Sequence, residues 1–299
     1  RLAAKEEHRD IVIEALAQMP EEAVDAISAF AEGHELDEEL RSRMFHVLAE
    51  LGGKAAELAL WRFFRSATEL SSRVSAGKAL HRLALAGRAG TLEREQWDQC
   101  LVEIGETLEL LNRFCQEIGA VESDIVELVR DHQWLEVERL FQLLSLEFDP
   151  SLLARVKFNL EAKQEVLRAN ALELLETELP GAIAREVIPL LEPIVEGRSG
   201  EGTCLSKETA EALMQREPWL RVLTRASQPD DVLSSEMSVD LLHAEDLAFE
   251  LIRTQVSDLK KIPLFRDVPA DSLIPLARVV RTLRCARDET LFEQGDPAG

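Results

Sequence analysis

Chemistry at a protein site needs nucleophiles, acid–base pairs or metal ligands at workable spacings, and few residues here meet that demand. Cys100, Cys115, Cys204 and Cys285 are scattered with no C-x-x-C pair, and none of the six histidines stands in H-E-x-x-H or a close Cys/His set. Transition metals take their ligands from such clusters, so no metal site is expected and the histidines read as isolated core or surface residues. Ser71 and Ser72 lack the G-x-S-x-G surroundings of an exposed nucleophile. Carboxylate pairs such as Glu6-Glu7 and Glu38-Glu39 fit solvated helix faces in a chain this rich in acid. Asn170, between Ala169 and Ala171, reads as a buried structural amide on a core helix.

Two further patterns suggest anion binding and then lose force. The stretch EGRSGEGTCLSK, residues 196–207, is glycine-rich, but no strand precedes it and no Gly-Lys-Ser/Thr follows Gly202, as a phosphate loop requires. It reads as a flexible linker. Arg278, Arg281, Arg284 and Arg287 recur every third residue, yet the element should change there from helix to strand, which would scatter them over several faces.

The elements that hold these residues are set by length and pattern. A chain of 299 residues with 46% apolar and 30% charged residues is an ordinary globular protein of roughly two domains. Acidic residues number 56 against 34 basic ones, a formal charge of −22, which argues against nucleic-acid backbone and anionic membrane surfaces as partners. No apolar run approaches the ~18 residues of a membrane span; Leu80 to Ala86 is interrupted by His81 and Arg82. Dispersed cysteines indicate the cytosol. The chain opens on Arg1 and stops at Gly299 in what reads as a turn, so it is expected to be part of a longer chain.

From Lys5 to about Val195 the apolar residues recur with helical period. Gly52-Gly53 and Asp149-Pro150 mark stops and starts. Two long runs, Leu92 to Ile118 and Asp124 to Leu146, lie at the centre. Helices in short-linked succession predict antiparallel pairs stacked as an α-solenoid. Arg41, Met44, Leu48 and Leu51 share offsets with Arg73, Ala76, Leu80 and Leu83, and Arg168, Ala171 and Leu175 match the first three. This stripe resembles the second helix of HEAT repeats, in which a basic residue precedes small and large apolar ones.

The last forty residues change character. Ile262-Pro263-Leu264-Phe265 ends a turn, Leu273, Leu276 and Ala277 mark a helix, and Leu291-Phe292 with Gly295-Asp296 read as strand and tight turn. This order resembles the opening of a cyclic-nucleotide-binding domain, with Pro263, Leu264, Phe265, Leu291, Phe292, Gly295 and Asp296 as its motif residues. The resemblance implies that the cyclic phosphate is held by a later Gly-Glu segment and an arginine, which this chain does not reach. No cofactor is therefore assigned here, cyclic nucleotide belongs to the full-length chain, and this chain alone is expected to bind none. The whole layout is similar to the soluble part of bacterial ATP/ADP-translocase-like transporters carrying HEAT and cyclic-nucleotide-binding domains.

The expected fold is all-α: a HEAT-like α-solenoid over 1–196, a linker at 197–206, a helical connector at 207–256, and at 257–299 the short α+β start of a β-roll. The expected function is a non-enzymatic regulatory and protein-interaction module on the cytoplasmic side. Its helical array would meet a protein partner and its membrane link would be an attached transporter domain, with no nucleic acid and no membrane insertion of its own. The alternative is a pure scaffold whose C-terminal domain no longer binds ligand.

Overall fold

The computed structural model describes residues 23–32, 38–67, 69–87, 94–118, 123–197, 205–216, 254–266, 268, 273, 276, 277 and 280. Among these residues 84% are helical and none lies in a strand, far above the ~30–35% helix of an average domain, so the described chain is all-α. The strand-like stretch after Val280, with Leu291, Phe292, Gly295 and Asp296, and all four arginines of the series, Arg278, Arg281, Arg284 and Arg287, lie outside the described residues.

The helices are α1 (Ala23–Ala31), α2 (Glu38–Leu51), α3 (Gly53–Ser66), α4 (Leu70–Leu85), α5 (Arg94–Ile118), α6 (Ser123–Leu144), α7 (Pro150–Leu160), α8 (Glu165–Glu178), α9 (Gly181–Val195) and α10 (Lys207–Arg216). A further helix, α11, covers residues 254–260. Local chemistry sets several boundaries. Between α2 and α3, Gly52 and Gly53 adopt φ of 68° and 79°, which side-chain-bearing residues resist, so the chain reverses within two residues. Asp149 caps α7 by accepting from the Ser151 N–H at 2.9 Å, and Pro150 fills the first turn, where no donor is needed. The helix expected to reach Leu146 ends at Leu144, because Leu146 N–H turns to Leu143 O at 3.2 Å, a tightened last turn.

Packing follows a pattern of alternate helices. α2 packs on α4 and α4 packs on α6, while α1 lies against α2 and α3, and α3 against α4. Beyond α6 the order changes: α7 and α8 pair, and α9 returns to pack on α8, α5 and α6. One apolar core runs from Val24 on α1 to Ile194 on α9. Trp97 is fully buried in it and donates from Nε1 to Leu143 O at 3.0 Å, fastening the start of α5 to the end of α6. A second core joins the far ends of α5 and α6 to α10 and α11.

The arginines of the repeated stripe divide into two uses. Arg41 donates from Nε to Ala31 O at 3.2 Å, and Arg168 donates from Nη1 to Ala162 O and Lys163 O at 3.1 and 3.0 Å. Each supplies a guanidinium to carbonyls at or just beyond the end of the preceding helix, α1 or α7, which lack helical partners. Arg73 points inward instead, with Nη1 3.5 Å from Glu136 on α6. The Glu136 carboxylate is fully buried and also lies 3.3 Å from Arg139, whose guanidinium stands 5.0 Å from the Phe64 ring. Two cations around one carboxylate reduce the cost of burying all three.

Asn170 corrects an expectation. It is exposed, whereas Ala171 and Leu175 are buried. The inward face of α8 is narrow, and a one-residue step, about 100° around the helix, carries Asn170 off it.

Candidate functional site

The described residues from α11 to Val280 form a seat on the tip of the α5–α6 hairpin. Val256 and Leu259 of α11, with Leu273 and Ala277, are buried against Phe114 and Ile118 of α5 and Val129 of α6. Their spacing in sequence shows why: 256 and 259 are one turn apart, as are 273 and 277, so each pair presents one apolar stripe. Polar contacts fix the alignment. The Lys260 ammonium pairs with the Asp131 carboxylate of α6, its side chain only 8% exposed, and donates to Arg266 O at 3.0 Å. Gln255 donates from Nε2 to Val280 O at 2.9 Å, so the start of α11 is tied to the chain 25 residues later. A buried ammonium is costly without such partners, which makes this alignment specific rather than greasy.

The seat is widened by α10. Glu117 near the end of α5 accepts from Ser206 N–H at 2.8 Å, from Ser206 Oγ at 3.1 Å and from Thr209 Oγ1 at 2.9 Å. Ser206 in turn caps α10, its Oγ accepting from Thr209 N–H at 3.2 Å. At the other end of α10, Arg216 donates to Glu103 O at 3.2 Å and pairs with Glu106. Leu205, Ala210 and Leu213 are buried in the same core as α11.

Of the motif residues, Pro263, Leu264 and Phe265 sit in the turn directly after α11. Phe265 packs against the second core, while Leu264 is 78% exposed. Leu273, Leu276 and Ala277 also join that core. Leu291, Phe292, Gly295 and Asp296 lie outside the described residues. Sequence reasoning missed Lys260, Asp131 and Glu117, because an isolated charge gives no sign of which distant helix will face it.

The described cysteines have no nucleophilic character. Burial pushes the Cys100 and Cys115 thiols up to about 11, far from the thiolate that reacts. Cys115 belongs to a buried polar relay: its Sγ lies 3.8 Å from Gln133 Oε1, Gln133 donates from Nε2 to Asn112 Oδ1 at 2.8 Å, and Asn112 donates from Nδ2 to Leu190 O at 3.0 Å. This relay ties α9 to α5 and α6 beneath a groove of about 540 Å³, walled by Val102 and Gly105 on α5 and by Pro189 and Pro193 on α9. Both prolines stand inside α9 and remove the donors that Arg185 O and Pro189 O would otherwise meet.

Among the described residues no group of three or more His, Cys, Asp or Glu is placed to hold a metal ion. No described helix is long and apolar enough to cross a membrane. No family model, curated protein or solved structure matches the chain.

Proposed function

We propose that this chain is a non-enzymatic regulatory and protein-interaction module, in which a HEAT-like scaffold is coupled to the start of a cyclic-nucleotide-sensor domain. In this reading the helices form a solenoid of antiparallel pairs, and the region after Val280 opens a β-roll. A protein partner meets the helical array. In the same reading the complete sensor domain takes a cyclic nucleotide, and the module lies on the cytoplasmic face of a nucleotide-transporter-like membrane protein. The row formed by α2, α4 and α6 supports the stacked reading.

One observation carries the coupling: residues between Gln255 and Val280 share a buried core with the tip of α5 and α6. A displacement of that segment has to repack Phe114, Ile118 and Val129, because close-packed cores adopt discrete arrangements rather than deforming smoothly. A ligand that favours one position of the segment therefore biases the hairpin, which is how one site can act on another.

Hydrogen exchange on this module carrying a complete sensor domain, with and without saturating cyclic AMP or cyclic GMP, tests this. Ligand should change protection at 254–260 and also at 111–118 and 126–129. Binding with a response confined to the β-roll would remove the coupling, and no response to either nucleotide would remove the sensor.

A further inference from the structure

We infer that the cleft between α4, α6 and α7 binds a phosphorylated side chain presented by a partner protein. The inference deepens the interaction reading above and rests on it. Lys78, His81 and Arg82 line the cleft from α4, Glu138 from α6, Ser145 from the turn just after it, and Lys157 from α7, around a space of about 290 Å³. Positions 78, 81 and 82 share one face of α4. Three permanent cations thus converge in a chain whose formal charge is −22.

The cleft already holds one anion of its own. The Glu138 carboxylate pairs with Lys157 and lies 3.8 Å from Lys78, while Lys157 also reaches Glu161 at 3.0 Å. Lys157 is therefore committed, whereas Lys78, 60% exposed at its side chain, is loosely held. Arg82 donates through Nη1 to His46 Nδ1 at 2.7 Å and keeps further N–H donors. Ser145 Oγ donates to Gln142 O at 2.8 Å, so His81 donates from Nδ1 to that oxygen at 3.0 Å. Burial lowers the His81 pKa, leaving a neutral ring that does not add to the charge.

Charge and size select the ligand. A phosphate monoester carries up to two charges and three strong acceptors, enough to engage Lys78 and Arg82 against the opposing Glu138, where a carboxylate with one charge would gain little. Paired cations of this kind recognise phosphorylated motifs. A space of about 290 Å³, at the small end for a ligand pocket, admits a phosphorylated side chain. Apolar shoulders flank it: Leu85 lies one turn beyond Arg82 and is 69% exposed, and Phe158, one turn beyond Ala154 of the cleft wall, is 73% exposed. Such shoulders suit apolar residues on either side of the phosphorylated one.

Titration calorimetry with a peptide bearing one phosphoserine between leucines, its unphosphorylated twin and inorganic phosphate tests the inference. The phosphopeptide should bind saturably, at least tenfold tighter than either control. Lys78→Ala/Arg82→Ala, both at exposed positions, should weaken it tenfold or more, and Glu138→Gln should tighten it several-fold by removing the competing carboxylate. Equal binding of the two peptides, inorganic phosphate binding as tightly as the phosphopeptide, or no change in Lys78→Ala/Arg82→Ala would overturn it. So would weaker binding by a folded Glu138→Gln variant. Failure of all these arms, with exchange coupling between α11 and the hairpin intact, removes the cleft and leaves the regulatory reading standing.

Discussion

Gly77 on α4 stands directly against the Gln142 amide of α6: a methyl group at Gly77 would lie 2.0 Å from Gln142 Oε1 and 2.9 Å from Phe64 Cε2. The absent side chain is what lets α4 and α6 meet closely enough to share the buried charges around Glu136. Gly77→Ala gains helix propensity of up to about 1 kcal/mol but forces a buried ring and amide apart, which costs about 1–3 kcal/mol or more. Sterics should win. Urea unfolding is expected to show net destabilisation of Gly77→Ala, and Gly77→Ala/Gln142→Ala should recover part of it. A Gly77→Ala protein as stable as the parent would mean that the two helices are not in this contact.

Glu136→Gln isolates the charge at the centre of the stack. It leaves Arg73 and Arg139 buried beside a neutral amide, and breaking a buried ion pair in this way costs about 3–5 kcal/mol. Arg139→Met, which removes a cation and keeps apolar bulk against Phe64, should cost less. Denaturant midpoints of the two variants compare them directly, and the reverse ranking would place Glu136 in a solvated environment.

Acid should weaken the fold in two stages. Burial holds the His81 pKa below its ordinary value, so the unfolded chain takes up that proton first and stability falls as the pH drops below about 6.5. For Glu138, burial pushes the pKa up, but hydrogen bonds from Lys157 and Gln142 and the charges of Lys157 and Lys78 bring it to a net value below normal. Its contribution is complete above the ordinary glutamate pKa of about 4.3 and disappears as the pH falls through the lowered folded-state value. Urea unfolding between pH 7 and pH 3 should show Glu138→Gln less stable than the parent at pH 7, with the gap closing toward pH 3. A gap that widened toward acid would reverse the sign of this pair.

Much of the helical order was legible in residue spacing, and the reasons are local. The Asp149-Pro150 start and the Gly52-Gly53 reversal depend on backbone preferences carried by those residues themselves. Contacts between distant helices were not legible. Nothing near Asn112 announces that it will donate to Leu190 O, 78 residues away, and nothing marks Lys260 as the partner of Asp131. Pro189 and Pro193 illustrate a different limit: the local rule would break α9, yet the helix persists through both, held by Val187 and Leu191 in the main core. In the candidate site, the turn at Pro263 to Phe265 was readable from its proline and local spacing, while the core beneath it came from apolar residues on α5, α6, α10 and α11 and from Leu273 and Ala277.

The coupling of the C-terminal segment to the scaffold is open to one direct measurement. Leu259→Ala/Lys260→Ala removes a buried apolar side chain and the ammonium that pairs with Asp131, loosening α11 from its seat while leaving α1 to α4 untouched. Hydrogen exchange followed by mass spectrometry should then speed up by tenfold or more at 111–118 and 126–131, with no change across 38–66. Unchanged protection at the hairpin tip, with α11 itself exchanging freely, would contradict the coupling and reduce the C-terminal segment to an appendage.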